Sequence, residues 1–224
     1  MLLAFDTATN IAGAAVYGPQ GLLAEATWHA GRGHSEQVMA MAQQLLANLG
    51  HGPEDLSAVG VALGPGSWSG LRVGLSLAKG VAMARSLPIL GVSSLETLAY
   101  PHQRTGRSVF PVIKLGRDRY ALAEFRLRRS WSRIGGERNV SQEELLAALP
   151  DLALVCGDVD AALAAAITKA KGVGVVIPPP ALSGRRTGYL AELAWLRFQA
   201  GERDDLVALE PTYLGSGVKE PAGK

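Results

Sequence analysis

The strongest chemical signal in this sequence is a glycine-rich loop, Gly64-Pro65-Gly66-Ser67-Trp68-Ser69-Gly70. It follows the apolar run Val59–Leu63 and leads into a helical pattern from about Leu71 to Arg85. A loop between a strand and a helix can aim backbone N–H groups at an anion. This one lacks the Lys-Ser/Thr that closes a Walker loop, and its glycines do not fall as G-x-G-x-x-G. Pro65 also removes one donor. The pattern therefore favours a second role, in which the glycines permit a tight turn and close helix–sheet packing. Ser69 is then an N-cap and Trp68 a packed plug, whereas an exposed Trp68 would mark a contact surface. No nucleophile–base arrangement stands out. Ser67 and Ser69 have no histidine beside them in sequence, and Cys156 lies in an apolar run where a thiol acts as a small hydrophobe. The histidines His29, His34, His51 and His102 contain no pair at helical ligand spacing.

The elements that must carry these residues alternate between strand and helix signals. Met1–Phe5, Ile11–Tyr17 and Leu22–Trp28 read as three strands joined by connections too short for a parallel crossover. After the breaker Gly31-Arg32-Gly33, Ser35 can cap a helix with Glu36 in its first turn. Val38, Met41, Leu45 and Leu49 then recur at helical spacing up to Gly50. Pro88–Val92 is a further strand, and Ser93 with Glu96 has capping-box spacing for a helix through Ala99. The order is β-β-β-α-β-α-β-α. Beyond a junction at 101–106 come candidate strands Val109–Lys114 and Ala121–Leu127, then a capping box at Ser141 and Glu144 for a helix to Leu149. Strands Leu152–Cys156 and Val173–Ile177 flank a helix from about Val159, capped by Asp158. Pro178-Pro179-Pro180 is a stiff break, 187–200 is helical, and the glycine-rich tail after Leu214 is expected to fray.

A chain of 224 residues, 48% apolar and 19% charged, has material for two small packed domains. Its net charge of +2 does not mark a dedicated nucleic-acid binder. One cysteine excludes an internal disulfide and fits a reducing cytosol. The start lacks the basic segment of a signal peptide, and the uncharged run Leu56–Leu71 is broken by Gly64, Pro65 and Gly66. The expectation is a cytoplasmic protein that does not span a membrane.

The motifs Ala4-Phe5-Asp6-Thr7-Ala8-Thr9, the glycine loop continued through Leu71-Arg72-Val73-Gly74, Gly91-Val92-Ser93-Ser94-Leu95, and Glu210-Pro211-Thr212-Tyr213-Leu214 stand in the order and spacing of the TsaB family, which the sequence resembles. The resemblance is specific over the first hundred residues. It implies an actin-like ATPase (ribonuclease H-like) α/β fold of two related domains, each with a mixed sheet starting β-β-β-α. The domains would be 1–102, which binds the partner, and 103–224, whose C-terminal segment is a candidate to pack back on the first. It also implies a non-catalytic subunit that scaffolds and activates the catalytic paralogue TsaD. Together with the ATPase TsaE, the complex forms threonylcarbamoyladenosine in tRNA, and this chain meets the RNA only indirectly. The family is also filed with peptidase M22, the glycoprotease-like proteins. An autonomous glycoprotease-like hydrolase or sugar-kinase-like ATPase, and a homodimeric binding module, are the alternatives.

The resemblance also bears on single residues. In actin-like ATPases the Asp6–Thr7 position faces the nucleotide cleft, so Asp6, Thr7, Gly64, Gly66 and Ser67 are candidate nucleotide contacts; the alternative is that Asp6 ends a strand and caps a turn. Lys114 stands where the family carries an aspartate. The paralogue's His-x-x-x-His metal motif falls on Ser94 and Leu98, which implies no metal site here and no catalytic residue. No cofactor is expected on this chain alone, and ATP or ADP is a candidate ligand at a complex interface.

Two surfaces remain. Residues 104–138 hold ten basic side chains against three acidic ones, which is either a solvated face or a contact with RNA phosphate. The helices 36–49 and 71–85 are apolar around most of their girth, so each is expected to be buried on more than one side. Val38, Met41, Leu45, Leu71, Leu75, Ala78 and Ala82 are the candidate partner interface, and the same helices are expected to form a homodimer when the partner is absent.

Overall fold

The computed structural model describes residues 1–30, 34–116 and 118–214, and the side chains of 34–36 are not described. In chain order the elements are β1 (Leu2–Asp6), β2 (Ile11–Gly18), β3 (Gly21–His29), α1 (His34–Asn48), β4 (Ala58–Gly64), α2 (Trp68–Arg85), β5 (Ile89–Ser93) and α3 (Ser94–Ala99). There follow β6 (Ser108–Gly116), β7 (Arg119–Leu127), β8 (Trp131–Ser141), α4 (Gln142–Ala148), β9 (Ala153–Gly157), α5 (Ala161–Lys171), β10 (Val175–Val176), α6 (Pro180–Ser183) and α7 (Thr187–Gln199). The breaker at 31–33, the capping role of Ser35 and Glu36, Arg117 and the tail beyond Leu214 lie outside what is described.

The chain forms two compact units. One is Met1–Pro101 with Arg185–Pro211; the other is His102–Gly184 with residues 212–214. The division falls beside the expected boundary at residue 102, and residues 185–211, α7 included, group with the first unit. The first unit has the strand order β3-β2-β1-β4-β5, and the second has β10-β9-β6-β7-β8. Written from the opposite edge, the second order repeats the first. In both, the first three strands form an antiparallel meander and the last two join in parallel. Two units of one topology, each opening β-β-β-α, are the actin-like ATPase architecture.

In the first unit β1 is buried along its whole length, which explains its unbroken apolar run. Leu3, Phe5, Val59 and Val61 meet Val38, Leu45, Leu75, Ala78 and Ala82 of α1 and α2. The alternate positions face α7. A side chain at Gly60 would run into Ala194 and Leu190, so the glycine lets that helix lie close to the sheet. The chain after α7 then closes on β5: Asp204 accepts the Gly91 N–H at 2.6 Å, and Arg197 donates to the Gly91 carbonyl at 2.6 Å.

In the second unit Phe110, Val112, Tyr120, Leu122 and Val155 pack against Leu145, Leu149, Leu163 and Ile167. The capping box at Ser141 and Glu144 is formed, with hydrogen bonds of 3.1 and 2.6 Å. Some boundaries differ from the sequence reading. α5 is capped by Asp160 rather than Asp158, whose carboxylate accepts the Lys114 N–H at 2.9 Å instead. β10 shrinks to Val175–Val176, and Pro180 opens the short α6. β8 has no counterpart in the sequence reading. It is an edge strand, exposed along most of its length, and lacks the apolar alternation that marks a half-buried strand.

Candidate functional site

The residues at the end of β1 are built into a closed corner of the first unit. Asp6 is 3% exposed. One carboxylate oxygen accepts the Ala8 N–H at 2.9 Å, a local turn bond of the kind aspartate favours. The other accepts Arg185 Nε at 2.8 Å, with both side chains 4% exposed. The same guanidinium reaches Thr9 Oγ1 at 2.8 Å and the Ile11 carbonyl at 3.5 Å. Arg185 stands 179 positions from Asp6, so no local pattern could have named it.

The glycine-rich loop lies against this corner. Ser67 N–H donates to the Ala8 carbonyl at 2.6 Å, and Thr7 Oγ1 donates to the Gly70 carbonyl at 2.7 Å. A Cβ on Gly66 would stand 2.1 Å from the Ala8 carbonyl oxygen, and one on Gly70 2.2 Å from that of Thr7. One on Gly74 would stand 2.3 Å from Thr7 Oγ1. The glycines are there because β1 and α2 touch through backbone. Thus Asp6 and Thr7 meet the loop of Gly64, Gly66 and Ser67, and the Asp6 carboxylate and the Ser67 amide are already engaged within the unit. The helix begins earlier than its apolar pattern: Trp68 opens α2 and Ser67, not Ser69, is the N-cap, because its Oγ accepts the Gly70 N–H. Trp68 is not a packed plug. It is 58% exposed, with the Arg72 guanidinium 3.7 Å above its ring.

Other candidates are dispersed. Ser94 and Leu98 are buried at the start and end of α3. His51 faces Asp55 at 3.0 Å, and His102 contacts the Leu182 carbonyl at 3.1 Å, with burial holding its pKa below the usual value. Among the described residues no group of three His, Cys, Asp or Glu side chains is arranged to hold a metal ion. Burial pushes the Cys156 thiol up to about 12, so it carries no thiolate at neutral pH. Lys114, at the position of the family's aspartate, pairs with Asp160 at 3.4 Å.

Six of the seven residues named for a partner interface face inward. Val38, Leu45, Leu71, Leu75, Ala78 and Ala82 are each at most 8% exposed, and Met41 is half-buried. The apolar stripe they form covers the unit's own sheet. The other side of α2 is a second stripe of small and apolar residues. Val73 and Leu77 are half-buried, Gly80 and Ala84 are exposed, and Met83 beside them is 67% exposed. A Cβ on Gly80 would meet nothing within 4 Å.

A family model described as TsaD: tRNA N6-adenosine threonylcarbamoyltransferase matches residues 27–147. A relative over nearly the whole chain is the tRNA threonylcarbamoyladenosine biosynthesis protein TsaB of Haemophilus influenzae, 28% identical over 97% of this chain and 94% of that protein. The TsaB of Bacillus subtilis is 41% identical over 44% of this chain. The match spans less than half the length of the Bacillus subtilis and Escherichia coli relatives, at 43% and 42%. Among solved structures, YeaZ from Pseudomonas aeruginosa superposes with a TM-score of 0.81 at 22% identity, over 95% of this chain and 99% of that one. At that identity the likeness shows the fold.

Proposed function

Because this chain belongs to the TsaD family and, within it, to the TsaB proteins, we propose that it serves in forming threonylcarbamoyladenosine in tRNA. Its role there is that of a non-catalytic partner subunit in the cytoplasm, which scaffolds and activates a TsaD-type transferase together with a TsaE-type ATPase. The observation that carries this reading is the closed corner at β1. A phosphate site at the end of β1 needs an acid and a glycine loop that face an open cleft. Here Asp6 is neutralised by Arg185, and the loop's Ser67 amide is bonded to Ala8. A nucleotide in the complex then sits at a junction with another chain. Depleting this protein is expected to remove threonylcarbamoyladenosine from bulk tRNA, measured by nucleoside mass spectrometry. Unchanged modification after depletion would overturn the assignment.

The partner docks on the outward stripe of α2, centred on Val73, Leu77, Gly80 and Ala84, with Met83 beside it. Small residues on that stripe let a second helix approach closely, and the apolar side chains provide area to bury. The same face makes a homodimer when the partner is absent. Gly80 gives a clean test, because its added side chain points into open space. Gly80→Arg is expected to leave the fold intact, and even to add about 0.5–1 kcal/mol through helix propensity, while abolishing co-purification with the TsaD-type partner. If Gly80→Arg and Met83→Asp both stay folded and bind normally, the interface lies elsewhere.

A further inference from the structure

β7 and β8 form a hairpin in the second unit, and nine of the thirteen residues from 126 to 138 are arginine, serine or glycine. Between residues 126 and 138 stand five arginines against one glutamate, in a chain whose net charge is only +2. The folded structure sorts the basic residues of the region into two groups. Arg107 donates to the Gly174 carbonyl, Arg119 is held by Asn139 and Glu144, Arg133 by Glu137, and Lys114 by Asp160. These serve the fold. Arg126, Arg128 and Arg129 have no ion-pair partner among the described residues. Arg128, Arg129 and Ser130 are the three-residue loop between Leu127 and Trp131, and all three are exposed. Two adjacent arginines thus stand at an exposed tip.

The hairpin is nonetheless anchored. Trp131 stacks on Phe125, a neighbour on the same face, with ring centroids 5.5 Å apart and planes 15° from parallel. Phe125 is fully buried. That stack fixes the base of the tip. β8 is also a sheet edge, so one row of its main-chain N–H and C=O groups lacks a strand partner.

We infer that the β7–β8 hairpin is a docking arm for an RNA phosphodiester backbone, with Arg126, Arg128 and Arg129 as its cationic contacts. The proposal rests on the function proposed above and gives this chain a direct contact with the RNA. Phosphate is held by arginine, serine hydroxyls and main-chain amides, and these are the groups the tip presents. Arginine suits the role because its planar fork can give two hydrogen bonds to one phosphate. An acidic protein is the weaker fit, because protein interfaces need an apolar centre to desolvate. Leu127 and Ile134 are the exposed large hydrophobic side chains here, 42% and 38% exposed.

The test uses the full-length protein and an unmodified tRNA transcript in filter binding from about 50 to 200 mM salt. The triple variant Arg126→Gln, Arg128→Gln, Arg129→Gln is expected to bind at least tenfold more weakly at low salt. Its slope of log affinity against log salt should fall by about 2–3, one released counterion set per lost phosphate contact. The triple lysine variant should keep most of the affinity. Circular dichroism and a melting curve report folding. Should the triple variant unfold, Arg128→Gln with Arg129→Gln, confined to the exposed loop, carries the same expectation. Equal binding by folded wild type and glutamine variants overturns the inference, as does a wild type with no affinity for the transcript. So does a variant that loses affinity only for polyglutamate, which would mark an acidic-protein surface. The depletion experiment separates the two claims. Modification lost on depletion together with variants that still bind the transcript rejects the hairpin alone.

Discussion

Replacing Arg185 with methionine, or Asp6 with asparagine, is expected to cost about 3–5 kcal/mol of stability, the usual cost of leaving one member of a buried ion pair alone. The two side chains meet at 2.8 Å and are each 4% exposed. Removing Arg185 leaves the Asp6 carboxylate with the Ala8 N–H as its remaining donor and takes away the bond to Thr9. Removing the Asp6 charge leaves a buried guanidinium beside the neutral acceptors Thr9 Oγ1 and the Ile11 carbonyl, with no counter-charge among the described residues. The desolvation of the surviving charge sets the magnitude, more than the lost attraction does. The double replacement should therefore be markedly more stable than the sum of the single ones predicts, a coupling that a double-mutant cycle reads directly. Urea unfolding of the four proteins measures it. Single-variant losses below about 1 kcal/mol would show that the pair does not hold the corner at β1 closed.

Gly70→Ala is expected to destabilise by at least about 1–3 kcal/mol, even though alanine is the better helix former. Its Cβ would lie 2.2 Å from the Thr7 carbonyl oxygen, and that carbonyl belongs to backbone fixed by the neighbouring sheet. To make room, α2 and β1 must separate, which also strains the 2.7 Å bond from Thr7 Oγ1 to the Gly70 carbonyl. Gly80→Ala in the same helix is the internal control. Its Cβ meets nothing, and the change should stabilise by about 0.5–1 kcal/mol. Identical substitutions ten residues apart in one helix thus have opposite signs, and thermal melts of both variants test the pair together. If Gly70→Ala melts at or above the wild-type temperature, the close contact between loop and β1 is not what the glycine is for.

Both effects arise at one corner, where Arg185 bonds the β1 acid Asp6 and ties the start of α7 to the first sheet. The same tie helps hold residues 185–211 in the first unit after the chain has passed through residues 102–184 of the second. Arg186, next in sequence, pairs with Glu25 of β3 at 2.5 Å, so α7 enters the unit through two consecutive arginines bonded to two different strands.

Features legible in the order of the residues are local ones. Apolar runs mark β1, β2 and β3, with a Gly-Pro turn between the last two, and the absence of a Walker lysine marks the glycine loop between β4 and α2 as a packing device. The caps at Ser93 and Ser141 were legible because a cap and the amides it bonds lie within three residues. Which surfaces meet is settled in the folded chain. α2 is apolar on several sides, so its periodicity could not say that Leu71, Leu75, Ala78 and Ala82 are buried while Gly80, Met83 and Ala84 turn outward. β8 escaped notice because an edge strand in contact with water on both faces loses the alternation by which strands are recognised. Trp68 could be a plug or a platform until its surroundings were known. Asp6 found its partner 179 residues away, where no spacing rule reaches, because an ion pair is chosen by distance in space and by burial, and neither is written in the order of the residues.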